Sequence, residues 1–493
     1  MAKTFLPSRD DLENSKFLDI HLWSTDKEVE KLVSAIWKNS FQEFDRDNSK
    51  GGKRPKTSIK DQFKVLLLNL YKIWHEDPSL MIAIHMSKSG YKANSRYNSL
   101  HISAEIIKLV NRLHAIELID WYKGSESAQL VTRIWPTKKL VNVFKASNLS
   151  IFDLTPHAMQ EVIILNNKEP GDKKGKPISY EDTPEIKVMR DELREYNKLL
   201  QRTYIDIGDL KEPKVLSKNH SCINVDQNNK LIKRIFYRGN WSLGGRFFGG
   251  WWQKVNSDYR SRILINDEPT LELDYSGLHI NLIHGMEREQ PPKDPYTIPL
   301  INPETTSEQQ RAWIKGLVLM AINAKSVKAA FSSFRNKQKA GSQEKSFKDK
   351  QLQELLYKFI EYNPIVESYL GTDKGVELMA IDGRITARVI NHFTRKKIPI
   401  LTVHDSYIIN HEYSGELRNQ MNKAIREELG GFEITITQEK IGIDQYRSFK
   451  AQEPNSAYFN QQMLDNIPSV TRSSQYQSRY KEFIDWRDRK NKG

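Results

Sequence analysis

Two short stretches decide the fold: Leu271-Glu-Leu-Asp-Tyr-Ser-Gly-Leu-His279 and, about 130 residues further on, Leu401-Thr-Val-His-Asp-Ser-Tyr407. Each is an apolar strand pattern that delivers one aspartate, Asp274 or Asp405, at its polar end. Ile398-Pro-Ile-Leu401 before Val403-His404-Asp405-Ser406, and Tyr407-Ile-Ile409 after it, read as strand–turn–strand with the aspartate in the turn. Carboxylates from two such strands that meet in space can hold a pair of Mg2+ ions, with Mn2+ able to substitute. Such a pair aligns an attacking hydroxyl with a phosphate and stabilises the leaving oxygen.

The rest of the composition suits a phosphate-bearing partner. The chain has 493 residues, 38% of them hydrophobic, enough for two to four packed domains. Its formal charge of +14 points to a polyanion, because lysines and arginines that neutralise phosphates release counterions. No apolar run has the length of a membrane span or of a signal-peptide core, so no membrane association is expected. A single cysteine, Cys222, excludes an intrachain disulfide and a cysteine-based zinc site, and implies a reducing, cytoplasmic setting.

Residues 1–145 contain the pattern of a winged helix-turn-helix, a module expected here to bind DNA, although winged helices also serve in protein interaction. Ile59–Trp74 places Phe63, Val65, Leu66, Leu68, Leu70 and Ile73 at helical spacing. Ser103 is the expected N-cap of a helix over Ala104–His114. Ile116–Tyr122 and Gln129–Trp135 then read as a hairpin wing around a turn-rich segment. Lys92, Arg96, Lys108, Arg112 and Arg133 are the candidate phosphate contacts. Residues 146–235 are expected to be a helical linker or thumb-like region, with a polar loop at Asn166–Pro177 and a helix over Thr183–Tyr204. Arg335–Lys350 reads as a basic loop, and 456–493 as a polar tail with a helix at Tyr476–Arg489.

Four motifs between about Asn240 and Glu412 resemble, in order, the palm and fingers shared by family A DNA polymerases and single-subunit phage and mitochondrial RNA polymerases. Asp274-Tyr-Ser-Gly-Leu-His279 is similar to the metal-binding strand end of the DNA enzymes, which read Asp-Tyr-Ser and then a glutamate. The resemblance implies Asp274 and the Tyr275 backbone carbonyl as metal ligands. His404-Asp405-Ser406 resembles His-Asp-Ser of the RNA enzymes, making Asp405 the other ligand and His404 a support for the primer or product end. Arg311-Ala-Trp-Ile-Lys315 puts two cations four apart on one helix face, able to grip a triphosphate and steady departing pyrophosphate. It resembles the fingers helix, except that Asn323-Ala324 stand where Tyr-Gly is expected. Asn240–Trp252, with Arg246 among glycines and aromatics, is similar to the Arg-Gly-Arg-aromatic segment of the RNA enzymes; the aromatics could stack on nucleic acid or form core. Asp294-Pro-Tyr296 and the helical stretch Glu377–Phe393 also fall in family order.

The implied fold is α+β: a right-hand polymerase with an antiparallel palm sheet and helical fingers and thumb, preceded by the winged helix. Palm is expected at 236–290 and 396–455, and fingers with a connecting palm helix at 291–395. The implied activity is DNA-templated nucleotidyl transfer, with DNA template, a primer or product strand and nucleoside triphosphates as partners. Sugar choice falls on His279 and Asn323. The bulk of His279 points to dNTPs and a DNA polymerase, while its hydrogen-bonding capacity, with Asn323, leaves an RNA polymerase or primase open. A polymerase with a DNA-binding module fits replication of a plasmid, phage or other mobile element; a non-catalytic initiator with a degenerate palm is the remaining alternative.

Overall fold

In the computed structural model, which describes residues 7–46, 58–125, 130–168, 174–216, 222–452 and 466–492, the chain divides into two units. One is Met1–Val162 with Lys481–Gly493, the other Ile163–Tyr480.

The first unit is built around the helix Ile59–Glu76, whose Ser58 cap accepts from the Asp61 backbone N–H at 3.0 Å. Its apolar residues cover more than one stripe, so it is buried on most sides and packs against the helices Lys27–Ser40 and Glu105–Ala115. Strands Ser15–Phe17, Met81–Ile84, Thr132–Pro136 and Ile119–Tyr122 lie in that order in one sheet. The expected wing is therefore an antiparallel pair, Trp121 opposite Ile134, with part of its turn (126–129) outside the described residues.

Two details differ from the sequence reading. Between Met81–Ile84 and Glu105–Ala115, where a helix-turn-helix needs a further helix, the regular structure is the single 3-10 turn Lys88–Gly90. Ser103 is displaced from the cap position, which Ala104 takes, because its backbone N–H donates to the buried Gln62 Oε1 at 3.0 Å. The expected polar tail also proves to be packed. The helix Ser474–Lys492 sets Phe483 edge-on to Phe152 at 5.2 Å and donates from Trp486 Nε1 to Asp153 at 2.8 Å, both within the first unit. Residues 456–465 of that stretch lie outside the described residues.

The second unit carries a six-stranded sheet in the order Ile400–Val403, Ser406–Asn410, Glu268–Tyr275, Ile263–Ile265, Ile205–Ile207, with Ile436–Gln438 also paired to Glu268–Tyr275. Every pairing in it is antiparallel, as expected. The helix Gly375–Arg395 turns Asp382, Ile385, Thr386, Val389 and Phe393 inward. It crosses the strand Asn240–Gly249 so closely that a Cβ on Gly383 would stand 2.2 Å from the Gly245 carbonyl oxygen. Helices Ser307–Asn323, Val327–Lys337 and Asp349–Tyr362 pack on one another.

Region 146–235 is not mainly helical. It holds the helix Pro184–Gln201, capped by Thr183, and otherwise short strands. The loop expected at Asn166–Pro177 is a hairpin in which Asn166 pairs with Pro177, its turn (169–173) outside the described residues. The buried run Ile163-Ile-Leu165 pairs in parallel with Arg234–Phe236 and draws the polar residues after it into the sheet. The basic stretch from Arg335 begins inside a helix anchored by Phe331 and Phe334, and Arg335 pairs with Asp349 at 2.7 Å. Among the described residues no helix is long and apolar enough to cross a membrane.

Candidate active site

The strand Glu268–Tyr275 alternates as its sequence implies. Leu271, Leu273 and Tyr275 are buried on one face, while Glu272 and Asp274 sit on the other. Asp274 pairs with Ser406 across the ladder, and Val403 with Ser406 closes the neighbouring hairpin, leaving His404-Asp405 as a two-residue turn. The Tyr275 backbone N–H donates to the Asp405 carbonyl at 3.4 Å, so the two aspartates are near neighbours across the sheet, within roughly 8 Å. The turn requires His404 to take a φ of +58°, a conformation unfavourable for a residue with a Cβ and often kept at functional sites.

Both aspartates line a cavity of about 660 Å³ together with Glu272, His404, Arg260 and Lys440. Glu272 is already paired: Arg260 donates to it at 2.9 and 3.1 Å, and Ser406 Oγ at 2.5 Å. Asp274 has no such partner among the described residues. Burial, then the charges of Asp405 and Glu272, push its pKa up to about 7, against the opposing pull of Lys315 and Arg260. Two carboxylates side by side, with Asp274 resisting its own charge, fit a hard divalent cation. Among the described residues no group of three or more His, Cys, Asp or Glu is placed to cage a metal ion, so an ion here would rest on these two carboxylates. The Tyr275 side chain is used elsewhere: its hydroxyl donates to Met421 O at 2.8 Å in the core, leaving only its backbone for the site.

The expected cation pair stands on the helix Ser307–Asn323, opened by a Thr306–Gln309 capping box. Arg311 is held by Asp294 at 2.5 Å, and the Tyr296 ring lies 6.0 Å from Arg311 and 5.9 Å from Lys315. Burial alone would raise the Asp294 pKa, but hydrogen bonds from Arg311, Thr297 and the Tyr296 backbone hold it below the usual carboxylate range. Lys315 is exposed, and its charge reaches Asp274. Asn323 lies eight residues on, about 12 Å along the axis, with its side chain donating to Leu319 O at 2.7 Å; it is apart from the cation pair.

Arg246, expected to meet phosphate, is bound inside the protein. Its Nε donates to the buried carboxylate of Asp382, and its Nη2 lies 2.7 Å from His279 Nε2. Guanidinium has only donors, so His279 Nε2 accepts and the proton stays on Nδ1, which is buried without a partner among the described residues. Burial and the Arg246 charge push the His279 pKa down to about 3, keeping the ring neutral. Burial raises Asp382 to about 6 against the pull of Arg246, with Asp405 adding to the rise. Burial and Arg246 likewise lower His404, whose ring meets Phe248 edge-on at 6.1 Å. Three other aromatics of Asn240–Trp252 are core: Phe247, Trp251 and Trp252 are buried, with Trp252 Nε1 donating to Thr402 O at 3.1 Å, while Trp241 is half-buried against Tyr180 and Phe236.

Glu272 and Asp382 were not singled out from sequence. Glu272 had a signal, since it sits two residues from Asp274 and so on the same strand face. Asp382 had only its place on the apolar face of an amphipathic helix.

Of the cations assigned to DNA in the first unit, Arg133 is buried and donates to Leu12 O at 2.8 Å and Val131 O at 2.7 Å, so it does not face phosphate. Arg96 pairs with Glu161 at 2.8 Å, Arg112 bonds Ser40 O at 3.0 Å, and Lys108 pairs with Glu105 at 2.8 Å. Lys92 is exposed.

No family model matches the sequence, and no curated protein matches it. Among solved structures the chain is similar to the POL domain of Pol1 from M. smegmatis in complex with DNA primer-template and dNTP, at 9% identity and a TM-score of 0.30. The overlap covers 86% of this chain and 66% of that one, just under two thirds of its length. At that score the two backbones superpose too loosely to assign a family, and the chemistry is read from the site itself.

Proposed function

We propose that the chain is a DNA-templated nucleotidyltransferase of the palm-and-fingers type, and that it acts as a DNA polymerase in replicating a plasmid, phage or other mobile element. The observation that carries this reading is the pair Asp274 and Asp405, set side by side by the strand ladder, with the exposed Lys315 near enough for its charge to act on Asp274. Asp274, Asp405 and the Tyr275 backbone carbonyl would hold two Mg2+ ions, which supply activation of the attacking hydroxyl and charge stabilisation at the leaving oxygen. A strand-terminal hydroxyl attacks the α-phosphorus of the triphosphate while the bond to pyrophosphate breaks. Lys315 and Arg311 meet the charge that builds on the departing phosphates, and Asp294 and Tyr296 hold Arg311 for that task. His404, on its strained turn beside Phe248, supports the primer or product end. Asp382 acts as a positioning residue, fixing Arg246 and through it the tautomer of His279.

A specific observation also favours the second reading, an RNA polymerase or primase. The Nδ1–H of His279 is a buried donor without a partner among the described residues; it does not line the carboxylate cavity, and a ribose 2′-hydroxyl would accept from it only once fingers movement uncovers it. Mg2+-dependent extension of a primed and an unprimed DNA template, with dNTPs and with rNTPs, separates these readings. The DNA reading expects dNTP incorporation that Asp274→Ala and Asp405→Ala each abolish, and relaxed sugar choice in His279→Gly. Exclusive rNTP use by the unmodified protein establishes the second reading instead. No extension under any condition leaves a DNA-binding initiator with a degenerate palm.

A further inference from the structure

A second cavity, of about 470 Å³, lies on the side of the helix Gly375–Arg395 away from the carboxylates. Asp382 and Thr386 point inward; Arg384 and Arg388 follow each by two residues, about 200° further round the helix. Arg395 from the same helix, Lys423 from the helix Ser414–Glu428 and Arg234 from the strand Ile232–Tyr237 complete the cationic lining.

Arg234 shows that this is more than a solvated basic face. It is 7% exposed, its Nε donates to Gly245 O at 2.8 Å, and the Phe236 and Phe247 rings hold it at 5.3 and 5.2 Å. Among the described residues no carboxylate pairs with it. Burial, and after it the charge of Arg384, bring its pKa down to about 10, against the opposing pull of Glu192 and Asp382, neither of which forms an ion pair with it among the described residues. A buried cation with no direct anionic partner is costly unless an anion joins it.

The acids present do not fill that role. Glu428 is taken by Arg384 at 2.5 Å and Arg388 at 2.7 Å. Glu427 also meets Arg388 at 3.3 Å, while the contacts of Arg395 with Glu192 and of Lys423 with Glu427 are long, 3.6 and 3.8 Å. Five cations thus line the cavity against two lining glutamates and Glu428 behind them, and Arg234 is the one without an ion pair among the described residues. The lining contains no Phe, Tyr or Trp on which a base could stack, so a ligand would be recognised through its charge.

We propose that this cavity is a phosphate-binding site, distinct from the carboxylate site and independent of whether that site is catalytic. The guanidinium forks of Arg384 and Arg388 take phosphate oxygens at the rim, and Arg234 completes the site from behind. The phosphate comes either from a free polyphosphate or from a nucleic-acid backbone.

The test uses the full-length protein in two arms: calorimetric titration with inorganic pyrophosphate, and fluorescence anisotropy with labelled single-stranded and duplex DNA over a range of KCl. Arg384→Gln/Arg388→Gln is expected to weaken pyrophosphate binding about tenfold or more, and Lys423→Gln several-fold. If DNA affinity falls in parallel and the salt slope drops by about two ions, the phosphate is that of the backbone. If DNA binding is unchanged while pyrophosphate binding falls, the ligand is a free polyphosphate. Loss of the Glu428 pairs could unfold the double variant, which circular dichroism would reveal. Lys423→Gln, which breaks only the 3.8 Å contact, then decides alone. Unchanged binding of both probes in the folded variants, or binding of neither to the unmodified protein, overturns the proposal.

Discussion

Replacing Asp274 by asparagine should make the cation-free protein more stable at pH 8. The folded state raises this carboxyl from 3.8 to about 7, through burial first and the charges of Asp405 and Glu272 after it. A rise of about 3 in pKa at 1.36 kcal/mol each corresponds to about 4 kcal/mol. The group borders an open cavity, so solvent screening reduces this to roughly 2 kcal/mol. The sign follows from linkage: the folded protein binds this proton more tightly than the unfolded chain does. The contribution to stability is therefore fully present below about 3.8 and is lost as pH rises through about 7. The asparagine amide carries no charge at any of these pH values, so in EDTA the variant's advantage should be near zero at pH 4 and roughly 2 kcal/mol at pH 8. Thermal scans of variant and unmodified protein at both pH values would read it as a rise of a few °C in the transition at pH 8. Groups that titrate in both proteins cancel in the difference. Adding Mg2+ should raise the transition of the unmodified protein and leave that of the variant nearly unchanged. A variant less stable than the unmodified protein at pH 8, or an advantage of equal size at pH 4, would refute the reasoning.

Further outcomes are expected at other positions. Gly383→Ala places a methyl 2.2 Å from the Gly245 carbonyl, which is backbone on a packed strand and cannot swing aside, so urea denaturation should show a loss of about 2–3 kcal/mol. Lys315→Gln removes an exposed cation without burying a new polar group; steady-state kinetics should show kcat lower by about a hundredfold with circular dichroism unchanged, and near-normal turnover would remove Lys315 from the site. Arg133→Gln should lower the melting temperature, because the Leu12 and Val131 carbonyls lose their donor, while leaving DNA affinity unaltered in a gel shift. Lys92→Gln should do the reverse, weakening DNA binding modestly without changing the melting temperature.

The legible parts of the fold were those where pattern and environment agree. The period-2 run ending at Asp274, the strand–turn–strand around Asp405 and the helix bearing Arg311 and Lys315 all formed as read. Local alternation dictates which face a residue occupies, and a turn aspartate can only sit at a sheet edge. Less legible were segments whose state depends on a distant partner. Asn166–Pro177 has loop composition but pairs because Ile163–Leu165 finds Arg234–Phe236 in the sheet. Ser103 has a capping side chain but is claimed by Gln62, 41 residues away.

By itself, then, the sequence determined that two carboxylates stand at strand ends and that two cations share one helix face, because strand and helix periods are properties of the local backbone. Which charges remain free was decided by tertiary structure. Arg246 looks like a phosphate contact in sequence and becomes a partner of the buried Asp382, whereas Arg234 carries no motif and ends buried at a cavity wall with no ion pair among the described residues. Electrostatic energy depends on distance and desolvation across the assembled core, and neither quantity exists until the helix Gly375–Arg395 is laid against its strand.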